Sequence, residues 1–90
     1  FALSQNYPNP FNGTTYIDYD VPRHSHVSID LYNVLGQNIR TLVSTFKEPG
    51  RYRAMWDGRD NAGGDVATGV YYYHFVAGDS RIIRKLLYLK

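Results

Sequence analysis

Trp56-Asp57-Gly58-Arg59-Asp60-Asn61-Ala62-Gly63-Gly64, followed closely by Gly69-Val70-Tyr71-Tyr72-Tyr73, decides how this chain reads. It joins an aromatic strand end, a loop of turn-forming residues and a second aromatic strand. Four acid or amide side chains sit in or beside the loop: Asp57, Asp60, Asn61 and Asp65. Two readings are open. Short polar side chains satisfy backbone N–H groups in tight turns, and glycine takes the positive φ that such turns need. The same four residues are also calcium candidates, because calcium gathers six to eight oxygens from acids, amides and carbonyls. Their spacing is not that of an EF-hand. The structural turn is the simpler account, with a bound calcium as the alternative.

Outward from this block, short extended runs alternate with turn signals. Val70 to Ala77 is apolar or aromatic at nearly every position, which predicts a central strand buried on both faces. Gly78-Asp79-Ser80 reads as a hairpin turn, and Arg81 to Leu89 as the last strand. On the other side, Tyr52, Ala54 and Trp56 alternate with Arg51, Arg53 and Met55, and Lys47-Glu48-Pro49-Gly50 is a turn with Pro second. Thr15, Ile17, Tyr19 and Val21 form one inward set, and Val27, Ile29 and Leu31 another. Ile39 to Phe46 slips phase, since Ile39 and Leu42 share a face only across a bulge. Pro8 and Pro10 lack the amide a ladder needs, so residues 5–13 form an edge or a cover.

Six strands, with a seventh among residues 1–5, predict an all-β fold. It is an antiparallel immunoglobulin-like β-sandwich of about seven strands, with a partly closed barrel as the runner-up. Residues 1–90 form a single domain at this length. A chain this short buries only about 60–65% of its unfolded surface. With no cysteine to staple it, nine Tyr, four Phe and one Trp must supply the core. The net charge of +2 is too small to point to nucleic acid. No apolar run is long enough to span a bilayer as a helix. No signal peptide is visible, and the start at Phe1 without Met suggests a piece of a longer protein.

Catalytic signals are weak. His24 and His26 lie two apart at a turn, but a metal needs a third ligand and none is evident. His74 reads as a packed ring in its strand. Asp18 and Asp20 share a strand face about 7 Å apart, which any outward polar pair produces. No glycine-flanked elbow presents a nucleophile, and Ala62-Gly63-Gly64 runs into a strand rather than the helix a phosphate loop requires. Tyr16, Tyr32, Tyr71 and Tyr73 are candidates for stacking on bases or sugars, against plain sheet packing. The chain is read as not an enzyme.

Several blocks, in order, carry a family resemblance. Asn6-Tyr7-Pro8-Asn9-Pro10-Phe11-Asn12, Thr15 to Pro22, Val27 to Gln37 and Lys85-Leu86-Leu87-Tyr88-Leu89-Lys90 resemble the type IX (Por) secretion C-terminal sorting domains. The Trp56 to Tyr73 block is similar to the immunoglobulin-like domain of the flagellar hook-capping protein FlgD. The resemblance implies a non-catalytic C-terminal module of a secreted bacterial protein, carried behind an upstream cargo domain. An outer-membrane translocon would recognise it, and a surface peptidase would join the cargo to an anionic lipopolysaccharide. Localisation would be secreted or at the cell surface, after passage through the periplasm. Gly69, Val70 and Tyr71 match the family's Gly-Val-Tyr element, and Lys85 and Lys90 its terminal basic pattern. With Arg84 and Leu87 they are the translocon-recognition candidates.

The physical counterpart is a last strand that offers its edge to a partner strand, guarded by Arg81, Arg84, Lys85 and Lys90. Weak self-association through that edge is a further expectation. No cofactor is expected apart from the calcium alternative, and no nucleic acid partner. The competing reading is an accessory module on an extracellular enzyme that binds carbohydrate or packs on its parent. A hook-assembly protein is a third.

Overall fold

The strongest alternations in the sequence become the two inner walls of a sandwich. The computed structural model describes all 90 residues. Seven strands form: β1 (Ala2–Leu3), β2 (Thr15–Val21), β3 (Ser25–Tyr32), β4 (Asn38–Lys47), β5 (Gly50–Trp56), β6 (Gly69–Ala77) and β7 (Ser80–Tyr88). They make two separate antiparallel sheets, ordered β1-β2-β5 and β4-β3-β6-β7, and not a barrel. In β2, Thr15, Ile17, Tyr19 and Val21 are buried, as are Val27, Ile29 and Leu31 in β3. The β2 set faces the β3 set and, beside it in the same sheet, the β6 residues Tyr71, Tyr73 and Phe75 across the core. One continuous cluster results, with Trp56 fully buried.

The phase slip in β4 is a pair of register shifts opposite Asp30 and Tyr32, which leave Leu42 and Ile39 as extra residues. The bulges let Ile39, Leu42 and Val43 all pack against the core. Gly78 takes φ 56° at the first turn position of the β6–β7 hairpin, a conformation that L side chains rarely adopt.

β6 departs from expectation. It is buried on one face only: Tyr71, Tyr73, Phe75 and Ala77 point in, while Val70, Tyr72, His74 and Val76 lie on the half-open outer face. No layer covers that face, so it is apolar without being core. Tyr71 and Tyr73 are therefore not stacking platforms. They are 6% and 0% exposed, Tyr32 is half-buried, and Tyr16 alone of the four is an exposed ring. His74 likewise sits outside the core, with its ring centroid 6.4 Å from that of Tyr32.

Candidate functional site

The loop after β5 is tied down by its own side chains. One Asp60 Oδ1 accepts from the amides of Ala62 and Gly64 at 3.0 and 2.9 Å. Asp57 Oδ1 accepts from the Arg59 amide at 3.2 Å. Asn61 reaches sideways to the edge of β4: its amide donates to the Ile39 carbonyl at 2.9 Å, and its Oδ1 accepts from the Thr41 amide at 3.0 Å. Asn61 thus stands in for one residue of a neighbouring strand. Asp65 lies apart, 3.9 Å from Arg59.

The cation within this loop is Arg40. Its Nη1 donates to the Arg59 carbonyl at 3.1 Å and lies 3.4 Å from Asp57 Oδ1. The four calcium candidates therefore point in different directions, and no three His, Asp or Glu side chains anywhere come together as a metal site. Nothing in the sequence singled out Arg40, although its being the one charged residue from Ile39 to Phe46 was the available signal.

Trp56 closes the loop's base. Its Nε1 donates to the Arg59 carbonyl at 2.9 Å, and its ring meets Phe11, Tyr71 and Tyr88 at centroid distances of 5.5, 5.4 and 6.0 Å. Phe11 and Tyr88 are themselves 4.9 Å apart. Gly58 is the close approach here. It has φ 75°, and a Cβ on it would lie 2.6 Å from the Tyr88 ring.

This aromatic knot binds the start of the chain to its last strand. The β6–β7 hairpin directs the backbone groups of alternate β7 residues outward, to the sheet edge. Over the second half of β7 those groups are taken by residues 5–11. Gln5 Nε2 donates to the Lys85 carbonyl at 2.8 Å, and the Leu87 amide donates to Asn9 Oδ1 at 3.0 Å. Phe11 accepts from the Leu89 amide at 2.8 Å and donates to the Leu87 carbonyl at 3.1 Å, forming a parallel bridge with Tyr88. The segment is anchored from beneath as well. Buried Asn6 donates its amide to the Tyr73 hydroxyl at 3.0 Å, and that hydroxyl donates to the Ser4 carbonyl at 2.9 Å. The expected cover is thus real, but what it covers is the very edge expected to be open. Arg81 and Ile83 keep the free part.

The candidate residues fall at one end of the larger sheet. Val70 pairs with Leu87, Tyr71 with Leu86 and Gly69 with Tyr88. Val70, Lys85 and Leu87 share a shallow recess with Asn9. Tyr71 turns away into the core, where its hydroxyl donates to the Ala67 carbonyl at 2.6 Å. Arg84 also turns in, and donates to the Leu3 carbonyl at 3.1 Å. It is a half-buried, inward charge rather than part of an exposed basic row. Lys85 and Lys90 remain exposed.

Burial raises the phenol pKa values of Tyr19, Tyr71 and Tyr73 above 10.0, and the Asn6 amide and Arg84 oppose this at Tyr73. On the outer face of the smaller sheet, a hydrogen bond from Arg53 lowers the Asp18 pKa below 3.8.

Residues 5–80 match the model of the FlgD Ig-like domain, and the chain belongs to that family. Among solved structures, dimeric latent PorU from Porphyromonas gingivalis has a similar fold: the TM-score is 0.74 at 14% identity, over 94% of this chain and 9% of that one. The chain spans less than a tenth of that protein's length. No curated protein sequence matches the chain. No helix is long and apolar enough to cross a membrane.

Proposed function

We propose that this domain is a non-catalytic sorting module of the type IX secretion pathway, carried behind a secreted bacterial cargo and read by the outer-membrane translocon. The observation that carries the reading is the union of two distant blocks. Asn6–Phe11 and Lys85–Leu89, which resemble the opening and closing motifs of sorting domains, meet at one end of the molecule, through the backbone of Phe11 and the side chain of Asn9, with the Gln5 side chain beside them. Neither block takes this shape alone, so a receptor at this end would test whether the whole domain has folded. The exposed Lys85 and Lys90 side chains, with Val70 and Leu87 between them, are the surface it would meet. Membership of the FlgD Ig-like family and the fold shared with a stretch of PorU support the choice. Calcium at Asp57, Asp60, Asn61 and Asp65 is no part of this role, and the Arg40 guanidinium already supplies a positive charge there.

The test is a reporter fused ahead of Phe1–Lys90 in a bacterium with type IX machinery. Truncation at Arg84 is uninformative, because it removes Leu86 and Tyr88 from the core. Lys85→Glu with Lys90→Glu keeps the core and reverses the surface. We expect export of the parent fusion, and a folded but periplasm-retained reporter for the double variant. Export of both, or of neither, would sink the reading.

A further inference from the structure

We infer that the outer face of the smaller sheet carries a binding cleft for a neutral saccharide. Ser4, Gln5, Tyr7 and Pro8 form one wall of a cleft of about 500 Å³, and Tyr16, Asp18 and Arg53 form its floor. Strand geometry assembles the floor: Asp18 faces Arg53 across β2 and β5, and Tyr7 bridges to Tyr16. The Arg53 guanidinium lies 5.1 Å from the Tyr16 ring centre. Its Nε donates to Asp18 Oδ1 at 2.8 Å, and Nη2 approaches Oδ2 at 3.4 Å. An arginine held by an acid below and a ring beside it has its orientation fixed before any ligand arrives.

Tyr7 is the residue the fold does not explain. It is 78% exposed, adds nothing to the core, and stands beside a second exposed ring, Tyr16. The phenol hydrogen bonds within the chain are those of Tyr52, Tyr71 and Tyr73. The hydroxyls of Tyr7 and Tyr16 are therefore free for a ligand. The cleft thus offers ring faces next to planar polar groups, the combination that suits a molecule with C–H faces and hydroxyl edges. Its acid and base neutralise each other, so it has no net charge with which to select a phosphate or a carboxylate. That balance favours an uncharged sugar over nucleic acid or an acidic peptide. Gln5, Tyr7 and Pro8 of the cleft wall belong to the segment that covers β7, but Lys85→Glu and Lys90→Glu replace no cleft residue and Tyr16→Ala and Arg53→Lys none of the Lys85–Lys90 surface, so the two tests fail separately.

The probes are cello-, xylo-, laminari-, manno- and chitohexaose, titrated against the folded chain by two-dimensional amide NMR, with a ten-residue oligoproline as the peptide control. We expect at least one hexasaccharide to bind saturably at about 1 mM or tighter, with shifts centred on Tyr7, Tyr16 and Arg53. Tyr7→Ala and Tyr16→Ala should each weaken it about tenfold. Arg53→Lys, which keeps the charge and loses the planar fork, should weaken it too. Circular dichroism reports whether each variant is folded. Absence of binding by every sugar, binding indifferent to these variants, or oligoproline alone filling the cleft would each overturn the inference.

Discussion

Tyr73 shows how one atom can hold two ends of a chain. Its hydroxyl accepts from the Asn6 amide and donates to the Ser4 carbonyl in a region closed to water. Tyr73→Phe keeps the ring and strands the Asn6 amide, so urea titration should show a loss of about 1–3 kcal/mol. Gly58 is constrained by conformation and space at once. A methyl there meets the Tyr88 ring at 2.6 Å on a backbone with φ 75°. Gly58→Ala should cost about 2–5 kcal/mol in the same measurement, through left-handed strain and overpacking together. Residue identity was readable for the loop, since Asp60 and Asn61 beside Gly63 already signal a turn. Arg40 was not, because its role depends on a register that brings β4 beside a loop some twenty residues on. Its position carries a prediction. Calcium at these oxygens must displace the guanidinium, so millimolar calcium or a chelator should leave the melting midpoint unchanged; a rise with calcium would refute this.

At the level of elements, the two edges of the larger sheet are protected differently. β7 has Arg81 and Lys85 side chains and the cover of residues 5–11. β4 has no charged residue from Thr41 to Phe46, Phe46 is 63% exposed, and one loop residue, Asn61, caps its first part. Asn61→Ala should cost about 0.5–1.5 kcal/mol. It should also raise concentration-dependent association, measured by light scattering, because the uncapped edge is uncharged and β-prone. Legibility differed between elements for a physical reason. In β2 and β3 polar and apolar residues alternate, so the inward face is written in the sequence. In β6 almost every residue is apolar or aromatic, so the pattern has no phase, and the inward face follows only from β6's partners in space. That is why both faces of β6 were expected to be buried, with Tyr71 and Tyr73 left open between sheet packing and stacking, whereas one face alone, carrying both rings, lies in the core. The candidate site was half legible: Lys85 and Lys90 are exposed as expected, while Arg84 turns inward because its position on β7 shares the phase of Leu86 and Tyr88.

The whole molecule is a cysteine-free sandwich whose core is rich in phenols, and this sets its response to pH. A phenol whose pKa is raised on folding stabilises the fold fully below 10.0, the unfolded value, and this contribution is lost as pH rises through the folded value. Tyr19, Tyr71 and Tyr73 act in the same direction. Stability measured by urea titration should therefore hold through neutrality and fall above pH 10, with near-ultraviolet dichroism lost as the buried phenols ionise. A stability unchanged or rising from about pH 9 to about pH 12 would contradict this. The class of fold was legible from strand spacing and turn chemistry alone. That residues 5–13 form an edge or a cover was legible from Pro8 and Pro10, but the seat of the cover on β7 was not, because Gln5 and Lys85 are eighty positions apart and only the folded chain brings them together. That contact has a consequence in time. Phe11 packs on Tyr88, and Gln5, Asn9 and Phe11 find their bonding partners among the last ten residues. During synthesis Leu3, Ser4 and Tyr7 have partners on β2 early, whereas Gln5, Asn9 and Phe11 must wait until the closing strand has left the ribosome. That end of the domain thus stays pliant while the rest is being made, and it sets only when the closing strand arrives.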